Sequence, residues 1–136
     1  MKHFNFFKVG FLAAIILLFS GFMLADAPSK VPSEITEAIT KGDSDELSFY
    51  FNSNLELVML DKVDICTKKQ AKLIIEDFFT SNHPQNFEII YEGQQSDGIH
   101  VFGKMLTSSE KTFNVYFLVK STEEQVVITQ FKVEEQ

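Results

Sequence analysis

The chain has 136 residues, with nineteen acids against twelve lysines and no arginine, for a net charge of −7. A nucleic-acid surface must be basic, and bidentate recognition of phosphate or guanine favours arginine, so this composition excludes nucleic acid as a partner and disfavours anionic lipid. A single cysteine, Cys66, leaves no intramolecular disulfide, so a packed core must carry stability alone.

Residues 1–25 have the layout of a secretory signal peptide. Lys2 and Lys8 give a basic start, residues 4–24 are an apolar run, no acid precedes Asp26, and the small residues Ala25 and Ala27 follow. The expectation is export to the periplasm or the cell exterior, with no membrane contact after cleavage near Ala25 or Ala27. The run is also long enough for a membrane helix, so an N-terminal membrane anchor is the alternative. Residues 26–30 read as a linker and 31–136 as a single domain.

A first helix is predicted near Pro32, with Ile35, Ala38 and Ile39 as its apolar stripe and Gly42 as a left-handed stop. Asp43 caps a second short helix with Glu46 placed for a capping box. Leu47, Tyr50 and Phe51 make its apolar face, and Asn52, Ser53 and Asn54 end it in a turn. A strand from Leu55 to Leu60 turns at Asp61 and Lys62 into a return through Ile65 and Cys66. Thr67 and Gln70 form a capping box for a helix with the apolar stripe Ala71, Ile74, Ile75, Phe78 and Phe79, stopped at Asn82, His83 and Pro84.

From Phe87 the period changes to two. Four strands are predicted, at about 87–92, 99–106, 112–120 and 126–134, joined by short polar connectors as in antiparallel hairpins. The apolar face carries Phe87, Ile89 and Tyr91; Ile99, Val101, Gly103 and Met105; Phe113, Val115, Phe117 and Val119; and Val127, Thr129, Phe131 and Val133. In this register Glu56, Glu88 and Glu92 point outward. The outer face still bears Ile90, Phe102, Tyr116, Leu118 and Ile128, and an apolar patch with a polar rim marks an interaction surface. The order of elements is that of an α+β domain with helices on one face of an antiparallel sheet.

Three stretches carry a family resemblance: VPSEITEAITKGDSDELSFYFNSNLELVML, TKKQAKLIIEDFFTSNHP and TFNVYFLVK. The chain resembles an exported bacterial family, domain of unknown function 4783, with a nuclear transport factor 2-like fold of the cystatin-like superfamily. That resemblance implies a cone: a curved antiparallel sheet packed on a long helix, with two N-terminal helices. A ligand pocket inside the cone would be lined by Tyr50, Met59, Phe79, Tyr91, Met105 and Thr129. The resemblance also implies dimers with stacked sheets, here through Ile90, Phe102, Tyr116, Leu118 and Ile128. It assigns no activity, and the fold by itself assigns none.

Enzymes of this fold place a carboxylate or histidine base inside the cone. The inward positions predicted here hold none, so no catalytic residue is assigned. His83 and His100 lack metal-ligand partners at short spacing, and Asp61 and Asp64 read as solvated turn acids, so neither metal nor cofactor is expected. Cys66, ending a strand, reads as a buried small apolar residue and not a nucleophile. The reading is an exported, non-enzymatic binding domain that holds a small apolar ligand in a cone pocket or a protein partner on its sheet. The alternatives are an isomerase- or hydratase-like enzyme of the same fold and a purely structural envelope dimer.

Overall fold

The computed structural model describes residues 31–136. The expected signal peptide (1–25) and linker (26–30) lie outside the described residues. Among the described residues no helix is long and apolar enough to cross a membrane.

Among the described residues three helices and six strands follow one another: α1 (Ser33–Lys41), α2 (Ser44–Ser48), β1 (Phe51–Met59), β2 (Lys62–Thr67), α3 (Lys68–Ser81), β3 (Pro84–Gln95), β4 (Gly98–Thr107), β5 (Thr112–Ser121) and β6 (Val126–Glu135). The helix ends are set by local chemistry. Gly42 closes α1 at φ 68°, a left-handed conformation a side chain would resist. The Asp43 carboxylate accepts from the Glu46 N–H at the start of α2. Both halves of the Thr67–Gln70 capping box are made at the start of α3.

The strands form one curved, six-stranded sheet in the order β2-β1-β6-β5-β4-β3. The architecture is mixed α+β, but the sheet is not wholly antiparallel as expected, because β1 runs parallel to β6. Side-chain alternation tells which face a residue takes, not the direction of the neighbouring strand. Phe51 is likewise drawn out of the expected second helix. It opens β1 opposite Ile128 and sets its ring 6.2 Å from that of Phe131, so Asn52, Ser53 and Asn54 are strand residues rather than a turn.

The core lies on the inner face of the sheet. Phe117 and Phe131 stack with ring centroids 6.2 Å apart, and both are essentially inaccessible to solvent, as are Met105 and Val101. Gly103 makes room for Phe87, since a Cβ there would stand 2.4 Å from the ring. From α3, Ala71, Ile75, Phe78 and Phe79 are buried, while Ile74 sits at the margin of the stripe and is exposed.

Two bulges correct the predicted faces. In β3 the register shifts between Ile89 and Tyr91, so Tyr91 pairs with Phe102 on the outer face instead of facing the core. The same shift pairs Glu92 with Val101, and directly opposed residues share a face, so Glu92 leaves the strand on the inner side. In β6 the shift makes Thr129 the extra residue and pairs Ile128 with Val119, placing Ile128 in the core and not on the outer face. One inserted residue reverses the facing of everything beyond it.

Candidate functional site

A cleft of about 730 Å³ opens between the β1–β2 hairpin and α3. Met59 pairs with Lys62, so Leu60 and Asp61 form a tight two-residue turn. Leu60 takes φ 58°, and its N–H is held by the Val133 carbonyl at 2.8 Å. A branched side chain in this region is strained by about 1–2 kcal/mol. The turn carries Leu60 to the cleft wall, with its side chain partly exposed.

Leu57 and Phe78 floor the cleft, Met59 and Ile74 line it, and Asp61, Lys62, Asp64 and Asp77 stand at its exposed rim. Size and lining match small-molecule and peptide sites, which run to roughly 300–1,000 Å³ with an apolar body and few polar groups. Three carboxylates against one ammonium give this mouth a negative potential. Among the described residues no cluster of three or more His, Cys, Asp or Glu side chains is arranged to hold a metal ion.

Of the six residues expected to line a cone pocket, Met59 alone lines this cleft. Phe79 and Met105 are packed into the core. Tyr50 packs against that core partly buried, and burial, then Glu34 and Glu46, push its phenol up. Tyr91 lies on the outer face, its hydroxyl folded over Gly93. Thr129 sits at the bulge with a buried, unpartnered Oγ1. The sequence reading missed Leu60, Asp77 and the opening beside Ile74. The visible signal was Ile74 at the edge of its helical stripe, but an edge position does not tell what stands across from it.

Cys66 is buried at the end of β2, and burial, then Asp64, raises its thiol above the ordinary value. Lys72 of α3 pairs with Asp45 of α2, and their hydrogen bond is the main reason the ammonium is raised.

The outer sheet face presents a second feature. Ile90, Tyr91 and Phe102 are 57%, 52% and 46% exposed, and Phe102 packs 4.8 Å from Tyr116 between ring centroids. Beside them His100 contacts Asp97 at 2.7 Å and the Tyr116 hydroxyl at 2.9 Å, and that hydroxyl donates to Gln130 at 3.3 Å. Partial burial, then Asp97 and Glu56, raises the Tyr116 phenol. Leu118, expected to be free on this face, is only 4% exposed. It packs against Gly98, where a Cβ would stand 3.2 Å from its Cδ1.

A curved six-stranded sheet closed on one face by helices is a fold this chain shares with nuclear transport factor 2-like proteins. A protein of that description and of unknown function from Silicibacter pomeroyi shares the fold at TM-score 0.54 and 14% identity, over 95% of this chain and 98% of its own. The chain belongs to the family described as Domain of unknown function (DUF4783), which matches residues 32–134. The family's crystal structure from Bacteroides ovatus is similar at TM-score 0.74 and 25% identity, over 80% of this chain and 98% of that one. That from Bacteroides uniformis gives 0.72 and 22%, over 79% and 98%. No curated protein sequence matches this chain.

Proposed function

We propose that this is an exported, non-enzymatic binding domain whose ligand site is the cleft between the β1–β2 hairpin and α3. The observation that carries the reading is the contrast between two spaces. The interior of the sheet is filled by Phe117, Phe131 and Met105, which leave almost no accessible surface, whereas the cleft offers about 730 Å³ with an apolar floor and an acidic rim. The sheet and α3 form the cone of this fold, and the ligand sits at its side. A molecule with an apolar body and a cationic end fits that lining. An isomerase- or hydratase-like chemistry would instead need a base in an open interior.

Titration with dodecyltrimethylammonium below its micelle concentration tests the site, followed by amide chemical shifts. Binding should centre on Met59, Leu60 and Ile74, and should weaken in Ile74→Lys and Asp77→Lys. No binding, or binding indifferent to both substitutions, would overturn the reading. N-terminal sequencing of protein recovered from cell envelopes tests export: a chain still beginning at Met1 would replace the exported domain with a membrane-anchored one.

The exposed cluster of Ile90, Tyr91 and Phe102 favours a second property, a homodimer through the outer sheet face. Sedimentation of the protein and of Phe102→Glu checks it. A monomer at high concentration, or a dimer unaffected by the substitution, rules this interface out.

A further inference from the structure

The two edges of the sheet are built differently. At one end β3 starts with Pro84 and carries two register shifts against β4, devices that blunt an edge against further pairing. At the other end β2 pairs with β1 over six residues without a shift and contains no proline. Among the described residues no strand pairs with its free side, which presents backbone N–H and C=O groups in a regular row. It also exposes Val63 and Ile65, each 67% accessible, on the outer face. On the inner face of the same strand, Lys62 and Asp64 border the cleft.

We infer that β2 is a docking edge for an extended segment of a partner protein, which adds to the sheet as a seventh strand with alternating apolar and basic side chains. The inference rests on the cleft being a binding site and names its occupant. Residues opposite each other in adjoining strands share a face. Partner residues facing Val63 and Ile65 are therefore apolar. Those facing Asp64 turn toward the cleft, where Asp61, Asp64 and Asp77 together outweigh the single ammonium of Lys62, and are lysine or arginine. Backbone pairing supplies affinity and the alternate side chains supply specificity.

Charge disfavours a second copy in the self-pairing that brings the apolar residues Val63 and Ile65 together, whereas the register that sets Val63 against Val63 would oppose Lys62 to Asp64. The antiparallel self-pairing that sets Val63 against Ile65 necessarily sets Asp64 against Asp64, and like charges directly opposed are unfavourable. The net charge of −7 adds long-range repulsion between copies and attraction for a basic partner. The strained Leu60 turn stands at the start of this edge, where backbone strain is found at ligand clamps.

The test uses purified full-length protein and the capped hexapeptide Lys-Val-Lys-Ile-Lys-Val. Three relatives of the peptide accompany it: one with glutamate for lysine, and two N-methylated at alternate residues in opposite phases. The parent should bind and protect β2 amides from hydrogen exchange. Methylation in the phase whose N–H groups face β2 should weaken binding about tenfold or more, because two or three hydrogen bonds are lost, while the other phase is tolerated. The glutamate peptide should bind at least as poorly as the methylated one. Equal binding by both methylated phases overturns backbone pairing. If dodecyltrimethylammonium binds and no peptide does, the cleft reading stands and this inference falls; if neither binds, both fall. A dimer whose β2 amides are protected without peptide would replace the partner with a second copy and overturn the inference.

Discussion

Phe78 meets Phe113 edge to face, with ring centroids 5.1 Å apart and planes at 86°. This contact ties the last turns of α3 to β5 and makes Phe78 at once a core residue and the floor of the cleft. Aromatic pairs of this geometry contribute beyond the area they bury.

Phe78→Ala should therefore cost about 3–5 kcal/mol, a large part of the stability of a domain this size. Urea denaturation measures it. The same substitution deepens the cleft, so ligand affinity should change together with stability. An unchanged midpoint would mean that α3 does not rest on the sheet through this residue.

Leu60→Gly should leave the fold intact and raise stability by up to about 1 kcal/mol. Relief of the left-handed strain exceeds the entropy glycine adds to the unfolded chain. Because Leu60 lines the cleft, binding should weaken as stability rises. Thermal melts and titration on one sample would show whether the two move in opposite directions, as a strained functional turn requires.

At the β6 bulge, Thr129 buries an Oγ1 with no hydrogen-bond partner. Replacing a buried unpaired hydroxyl by a methyl group of similar shape removes a desolvation cost of about 1–3 kcal/mol. Thr129→Val should raise the urea midpoint by an amount in the lower part of that range, because the residue as a whole is only partly buried. A fall in the midpoint would show that the hydroxyl has a partner in solution.

The carboxyl of Asp97 is held below its ordinary value, chiefly by its hydrogen bond with His100 and then by charge, partly offset by desolvation. A folded-state pKa below the unfolded one contributes stability that is present above the unfolded pKa and lost as pH falls through the folded one. Asp97→Asn should therefore be less stable than the parent at neutral pH, with the gap closing in acid below the ordinary carboxylate range. The Asp97 side chain is half exposed, so the gap should also shrink with salt. A gap constant with pH would assign the effect to packing rather than to the carboxylate.

How much was legible from residues alone divides along one physical line. The caps at Gly42, Asp43 and Thr67 with Gln70 were readable because each is satisfied by atoms within a few positions of itself. The faces of β4 and β5 were readable because neither strand is interrupted between Ile99 and Leu118, so alternation alone places Val101, Met105, Phe113 and Phe117 inward. The resemblance in three segments sufficed for the family, since it rests on the pattern of those same local elements.

Tertiary structure decided what depends on a partner strand or on two distant segments meeting. Bulges are set by the hydrogen bonds of the neighbouring strand, and they turned Tyr91 out and Ile128 in against the simple alternation. The parallel pairing of β1 with β6 depends on segments more than seventy residues apart, so no local pattern encodes it, and it drew Phe51 out of the expected helix. The cleft arises where the tight hairpin at Leu60 faces the edge of α3 at Ile74. Each residue alone reads as an ordinary apolar side chain, and only their juxtaposition across the fold makes a site.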